Sequence, residues 1–231
     1  MRPLYWAVSE AMSTITPDEG DLLVGQDGFA EYSEGQWIGS LPELIPGRAY
    51  RYKAVEQKEL VLNTHTSPST LHPSPSTTWN VQTQSLPDVM PLTAVLRDAG
   101  IELGGDEYAL GAFRTEDNTC LGEAQLVDGC RLIAIGGEQG LPVRFVAYHK
   151  LSQKYFTVQE TLVFDADKQA GSRKEPVVLT LGEEADAIGG LIVNPADTSG
   201  SVFSLEGVKM DSDQQLRKGV YVRQGQKVVV K

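Results

Sequence analysis

Histidine is almost absent from these 231 residues, with only His65, His72 and His149. No His-Glu-x-x-His pair, no Gly-x-Ser-x-Gly elbow and no phosphate-cradling glycine loop occurs. Gly136-Gly137-Glu138-Gln139-Gly140 reads as a turn between strands and opens no helix, which argues against a phosphate site there. Cysteine is as scarce. Cys120 and Cys130 lack suitably spaced partners for a metal, and a nucleophilic Cys120 would need a base such as His149 brought near by the fold. A disulfide is the alternative reading of the pair. With a hairpin turning at 127–129, Cys130 faces Leu126 instead of Cys120, so two separate thiols is the default. No apolar run approaches the ~18 residues of a membrane-spanning helix. Cations are outnumbered, 20 against 31 acids for a net charge of −11, which opposes binding to a polyanion such as nucleic acid.

What the chain does contain is β-type patterning. Hydrophobic residues make up 41%, which suits a folded protein with a sizeable core. Near the start, Leu4, Val8, Ala11, Met12 and Ile15 recur at helical spacing, and Thr16-Pro17-Asp18-Glu19-Gly20 ends the helix. Glycine-punctuated segments follow at 21–24, 28–32, 36–39 and 49–53, with Pro46-Gly47 as a turn. These define a small α+β module over 1–62. Residues 63–79 contain twelve Ser, Thr or Pro among seventeen, a linker composition. Strand-like runs at 90–96, 108–113, 121–126, 131–135, 143–148, 155–158, 161–164 and 176–181 then predict an antiparallel β-sandwich over 80–182. Residues 183–201 read as a connector. The tail, 202–231, reads as two hairpin-like units and carries Arg217, Lys218, Arg223, Lys227 and Lys231 without an acid from 214 onward.

Candidate site residues are few. Trp37, Tyr50 and Tyr52, with Trp6 and Trp79, offer aromatic faces on which a sugar could stack, although such residues commonly serve as core. Asp165-Ala166-Asp167 with Gly171 echoes a calcium loop but lacks the third acid, the sixth-position glycine and the distal glutamate. A solvated turn is the competing reading. No cofactor is called for.

Two resemblances organise these observations. Leu205, Gly207, Leu216, Gly219, Tyr221, Val222 and the basic, valine-rich end to Lys231 follow in order the pattern of a type IX secretion C-terminal sorting domain, found in exported proteins of Bacteroides-like bacteria. Gly20-Asp21, Gly25-Gln26, Phe29-Ala30, Tyr32, the run from Trp37 to Leu41, and Pro46-Gly47 resemble a module of large Bacteroides-type surface proteins. Gly111-Ala112-Phe113, the run from Cys120 to Ala124, and Phe164-Asp165 resemble the sandwich that follows it. The resemblance implies a secreted or outer-membrane location and a tail, with Gly207, Leu216, Gly219, Tyr221 and Lys231 among its marks, read by an outer-membrane secretion apparatus. It also implies further chain upstream, since Leu4 to Val8 with Glu10 forms no signal segment. The function expected is non-enzymatic: adhesion, or presentation of a glycan or surface-protein ligand. A carbohydrate-binding accessory module of an upstream hydrolase and a structural spacer are the alternatives, with a hydrolase using clustered acids more remote.

Overall fold

Short apolar strands separated by glycine turns build the first unit of the computed structural model. The structure describes residues 5–63, 78–79, 81 and 88–185, and beyond them the backbone of four tail strands. The linker beyond residue 63 up to 77, most of the connector, and the His65 and His72 positions lie outside the described residues.

The chain enters with β1 (Trp6–Ala7), which pairs with β5 (Glu43–Leu44), and turns into the single-turn α1 (Val8–Ala11). The longer helix expected from the Leu4 spacing is thus reduced to one turn, because Trp6 and Ala7 are extended to pair with β5. The apolar positions were nonetheless core positions: Val8, Ala11, Met12 and Ile15 are all buried. β2 (Leu22–Val24), β3 (Phe29–Ser33), β4 (Gln36–Gly39) and β6 (Arg51–Lys53) form an antiparallel sheet in the order β4-β3-β2-β6. Its two faces have different partners. Leu23 and Ala30 point to the module's own core with α1, while Leu22, Val24 and Phe29 point toward the second unit.

The second unit comprises β7 (Asp88–Asp98), β8 (Ile101–Glu102), β9 (Tyr108–Arg114), β10 (Cys120–Glu123), β11 (Gln125–Val127), β12 (Cys130–Gly137), β13 (Pro142–His149), β14 (Lys154–Val163) and β15 (Val177–Ala185). The protein is mostly β, as expected. The arrangement, however, is not the antiparallel sandwich expected. Eight strands run in one path, β10-β9-β13-β14-β15-β7-β12-β11, and the β15–β7 pairing is parallel. The sheet is mixed and nearly closed, like a barrel.

Closure has a local cause. The predicted strand at 121–126 is broken at Ala124, whose N–H donates to the Leu110 carbonyl at 2.8 Å. Its halves become β10 and β11, at opposite ends of the path, so two consecutive strands bring the sheet's edges together. Gly122 permits the approach: a Cβ there would stand 2.6 Å from the Ala134 carbonyl oxygen on β12. Asp128 and Gly129, both at positive φ, make the tight turn from β11 to β12.

Alternate residues fill the interior: Met90, Leu92, Ala94 and Leu96 of β7, Leu110 and Ala112 of β9, Ile133 and Ile135 of β12, and Val143, Phe145 and Ala147 of β13. The outer face is covered in two places. Leu132 on β12, with Val89, Val127 and Cys130, packs against Leu22, Val24 and Phe29 of the first module. Elsewhere Trp79, assigned from composition to the linker, docks over Ala109, Phe113, Cys120 and Val146. Its ring meets Phe113 edge-on at 5.5 Å, and the Glu123 carboxylate accepts from the Thr78 and Trp79 N–H groups.

In the tail, β16 (Val202–Ser204), β17 (Lys209–Met210), β18 (Gly219–Arg223) and β19 (Gln226–Val230) pair in the order β17-β16-β18-β19, all antiparallel.

Candidate functional site

Three of the residues singled out in the sequence lie at or beside the seam between the two modules. β6 runs along that seam. Because side chains alternate along a strand, Tyr52 points to the module core while Arg51 and Lys53 point to the barrel. The Arg51 guanidinium donates to the Val89 carbonyl at 2.9 Å, and the Lys53 ammonium to the Asp167 carbonyl at 2.7 Å. Across the seam, the loop joining β14 to β15 carries Asp165, Asp167, Lys168 and Gln169. Gln169 Nε2 donates to Glu31 Oε2 at 3.1 Å, and Lys174 pairs with Glu19 at 2.9 Å. Burial raises the Glu31 carboxyl above its ordinary value, opposed by Gln169 and the nearby Arg173.

Between β6 and this loop lies a cleft of about 300 Å3. Leu22, Val24, Pro91 and Ala166 give it an apolar floor, and Arg51, Lys53, Asp167 and Lys168 a charged rim. A shallow neighbour of about 350 Å3, bordered by Met90, Gln139 and Phe164, shares Lys168 with it.

The aromatic trio packs around the first module's core. Tyr50 lies just outside β6, and its hydroxyl oxygen accepts from the Ile45 N–H at 2.7 Å. Trp37 meets Tyr32 edge-on at 5.5 Å, and its ring lies 6.2 Å from that of Tyr52, tilted by 58°. All three predicted aromatics are half-buried against the first module's core. Tyr52 is further held by its hydroxyl, which donates to Asp21 Oδ2 at 2.5 Å.

The Asp165 carboxylate accepts from the Asp167 N–H at 3.2 Å and pairs with Lys168 at 2.9 Å; Lys168 first and that N–H next hold its carboxyl below the usual range. Gly171, at positive φ, abuts the Thr93 carbonyl and reverses the loop. Among the described residues, no group of three or more His, Cys, Asp or Glu side chains is placed to hold a metal ion. Gly219 and Tyr221 fall on β18, whereas Gly207, Leu216 and Lys231 lie outside the described residues.

The two thiols stay apart and free. Cys130 pairs across the hairpin with Val127, one residue from the Leu126 partner expected. Cys120 is buried beside Trp79, and burial pushes its thiol up to about 12. Iodoacetamide at pH 8 is therefore expected to alkylate Cys120 only after denaturant is added. Native labelling at a free-thiol rate, read by peptide mass spectrometry, would contradict this packing.

Arg51, Lys53 and Lys168 were not singled out in the sequence, although the charged residues flanking Tyr52 on a short strand were a signal that β6 turns a cationic face outward. The chain matches no protein-family model, no curated protein and no solved structure.

Proposed function

We propose that this chain is a non-enzymatic region of an exported or cell-surface protein, which presents a ligand-binding surface and carries a tail read by an outer-membrane secretion apparatus. The observation that carries the reading is the tail's own pairing. β16, β17, β18 and β19 satisfy one another's backbone groups in a separate antiparallel sheet, with five pairs between β18 and β19 alone. A tail that completes its own ladder can be recognised as a unit without dismantling the body it follows. The sorting-like sequence at Gly207, Leu216, Gly219 and Tyr221 supplies the address, and the two docked β modules supply the cargo.

A second reading, the structural spacer, expects modules that unfold independently. The apolar seam of Leu22, Val24, Phe29 and Leu132, with Gln169–Glu31 and Lys53–Asp167 across it, favours instead a body that melts as one.

The test is export. Removing residues 202–231 from the full-length gene product in its native cells should leave a folded body that fails to reach the outer-membrane or secreted fraction, as read by immunoblot against residues 88–185. Normal export of the deleted form would overturn the reading.

A further inference from the structure

We infer that the cleft between the two modules binds an acidic sugar, a uronate-type pyranose bearing one carboxylate and several hydroxyls. The inference rests on the ligand-presenting part of the proposal above and needs nothing from the tail. Its first support is place and size: ligand sites favour domain interfaces, and about 300 Å3 is at the lower end of their usual range, about 300 to 1,000 Å3. The second is the floor, where four small aliphatic residues present a surface that the C–H face of a sugar ring covers without burying a polar group.

The rim decides the chemistry. Arg51 and Lys53 are held by the Val89 and Asp167 carbonyl oxygens, which are neutral. Those bonds fix the two side chains without cancelling their charge, and among the described residues neither makes an ion pair. Each keeps N–H donors beyond those bonds, and both residues line the same cleft, so a carboxylate seated there can take charge-assisted bonds from either. Lys168 adds little net charge because Asp165 balances it.

Asp167 narrows the choice. Asp167 also lines the cleft, and its carboxylate has no side-chain partner among the described residues. One acid beside two free cations opposes a ligand of dense negative charge, such as a polyphosphate or a polysulfate. It suits a ligand that also carries hydroxyl donors. A sugar acid meets both requirements, whereas an acidic peptide supplies carboxylates but few hydroxyls. In a chain of net charge −11, this local excess of cations is against the general trend.

Calorimetric titration of the full chain with a galacturonate trisaccharide tests the inference, beside a neutral galactose trisaccharide and a glutamate-rich hexapeptide. The acidic sugar is expected to bind, and the neutral sugar at least tenfold more weakly. Arg51→Gln and Lys53→Gln should each cost roughly tenfold, the scale of one charge-assisted hydrogen bond. Lys154→Gln, on the far end of β14, should change nothing. Salt should weaken the binding, since the rim is exposed. Both rim variants also lose a structural bond, so their melting curves are taken alongside. Should either melt lower than the parent, methyl chemical-shift mapping of the unaltered protein decides, with perturbations expected at Leu22, Val24 and Ala166. No heat with the acidic sugar, equal binding of the neutral one, tighter binding of the peptide, or methyl shifts elsewhere would each overturn the inference. A failed titration and a failed export experiment remain distinguishable, because one reads the cleft and the other residues 202–231.

Discussion

Asp21→Asn is expected to cost about 3–5 kcal/mol and to lower the melting temperature by roughly 6 °C or more, although the change removes no carbon atom. Asp21 is fully buried, and every bond its carboxylate makes is an accepted one. Lys58 donates to it at 2.6 Å, Tyr52 at 2.5 Å, and the Val55 and Asp18 N–H groups at 2.7 and 3.0 Å. An asparagine would retain one acceptor and turn an NH2 group toward donors that need an oxygen. It would also leave Lys58 with Asp18 as its remaining charged partner, one that is half in water. Three of the four donors, Tyr52, Val55 and Lys58, tie the 52–58 segment to the start of β2, so the strand that lines the cleft is anchored through this carboxylate. Circular dichroism melting checks the stability. A melting temperature within about 2 °C of the parent would mean that the cluster contributes little.

The same cluster fixes a pH dependence. Burial works to raise the Asp21 carboxyl, yet Lys58, Tyr52 and the two N–H groups together hold it below its ordinary value. A carboxyl depressed in the folded state contributes stability that is present above the unfolded-state value, about 4, and lost as pH falls through the lower folded value. Lys58 has the opposite sign. Burial works to lower it, but Asp18 and Asp21 raise it, so its contribution is intact below about 10.4 and lost as pH rises through its folded value. The cluster's own contribution to stability should thus be flat between these limits and fall on both sides. In Asp21→Asn the acid-side fall should be shallower.

Much of the strand layout could be read from the sequence because inward and outward residues alternate. The segments expected at 36–39, 108–113 and 143–148 appear as β4, β9 and β13 with ends moved by one residue at most. Closure could not be read. Leu121 and Leu126 look like two positions on one strand, and only the long-range bond from Ala124 to Leu110 separates them onto opposite edges. Nor does periodicity reveal that β15 lies parallel to β7, since the direction of pairing leaves no mark on alternation. Trp79 was hidden by its Ser/Thr/Pro surroundings. At the cleft, Tyr52 and Asp167 were each noted for separate reasons, as an aromatic face and as a possible metal ligand. Their proximity depends on a contact between β6 and residue 167, more than a hundred positions apart, and composition carries no trace of it.

Arg131 is the second residue whose loss should be large, and the reason lies in what its removal would expose. It sits at the end of the barrel interior, 2% exposed, on the same face of β12 as Ile133 and Ile135. Its guanidinium donates to three main-chain carbonyls, those of Tyr108 at 2.8 Å and of Leu103 and Gly105 at 3.0 Å. Burial works to lower its pKa, with Asp106 and Glu107 opposing, and an arginine remains charged under such a load. The loop from 103 to 107 therefore closes the barrel end by facing its carbonyls inward onto one cation. Replacing a buried ion pair by apolar residues is often harmless because both charges leave together. Here the partners are backbone groups and stay behind. Arg131→Leu should cost about 3–5 kcal/mol, from buried acceptors left unpaired at about 1–3 kcal/mol each. Arg131→Lys should fall between, because an ammonium lacks the planar fork that reaches all three. Thermal melting measures the cost, and limited proteolysis locates it, with new cleavage expected at the Gly104-Gly105 peptide. If Arg131→Leu melts with the parent and the loop stays uncut, the carbonyls have found other donors, and Arg131 would not be what closes the barrel.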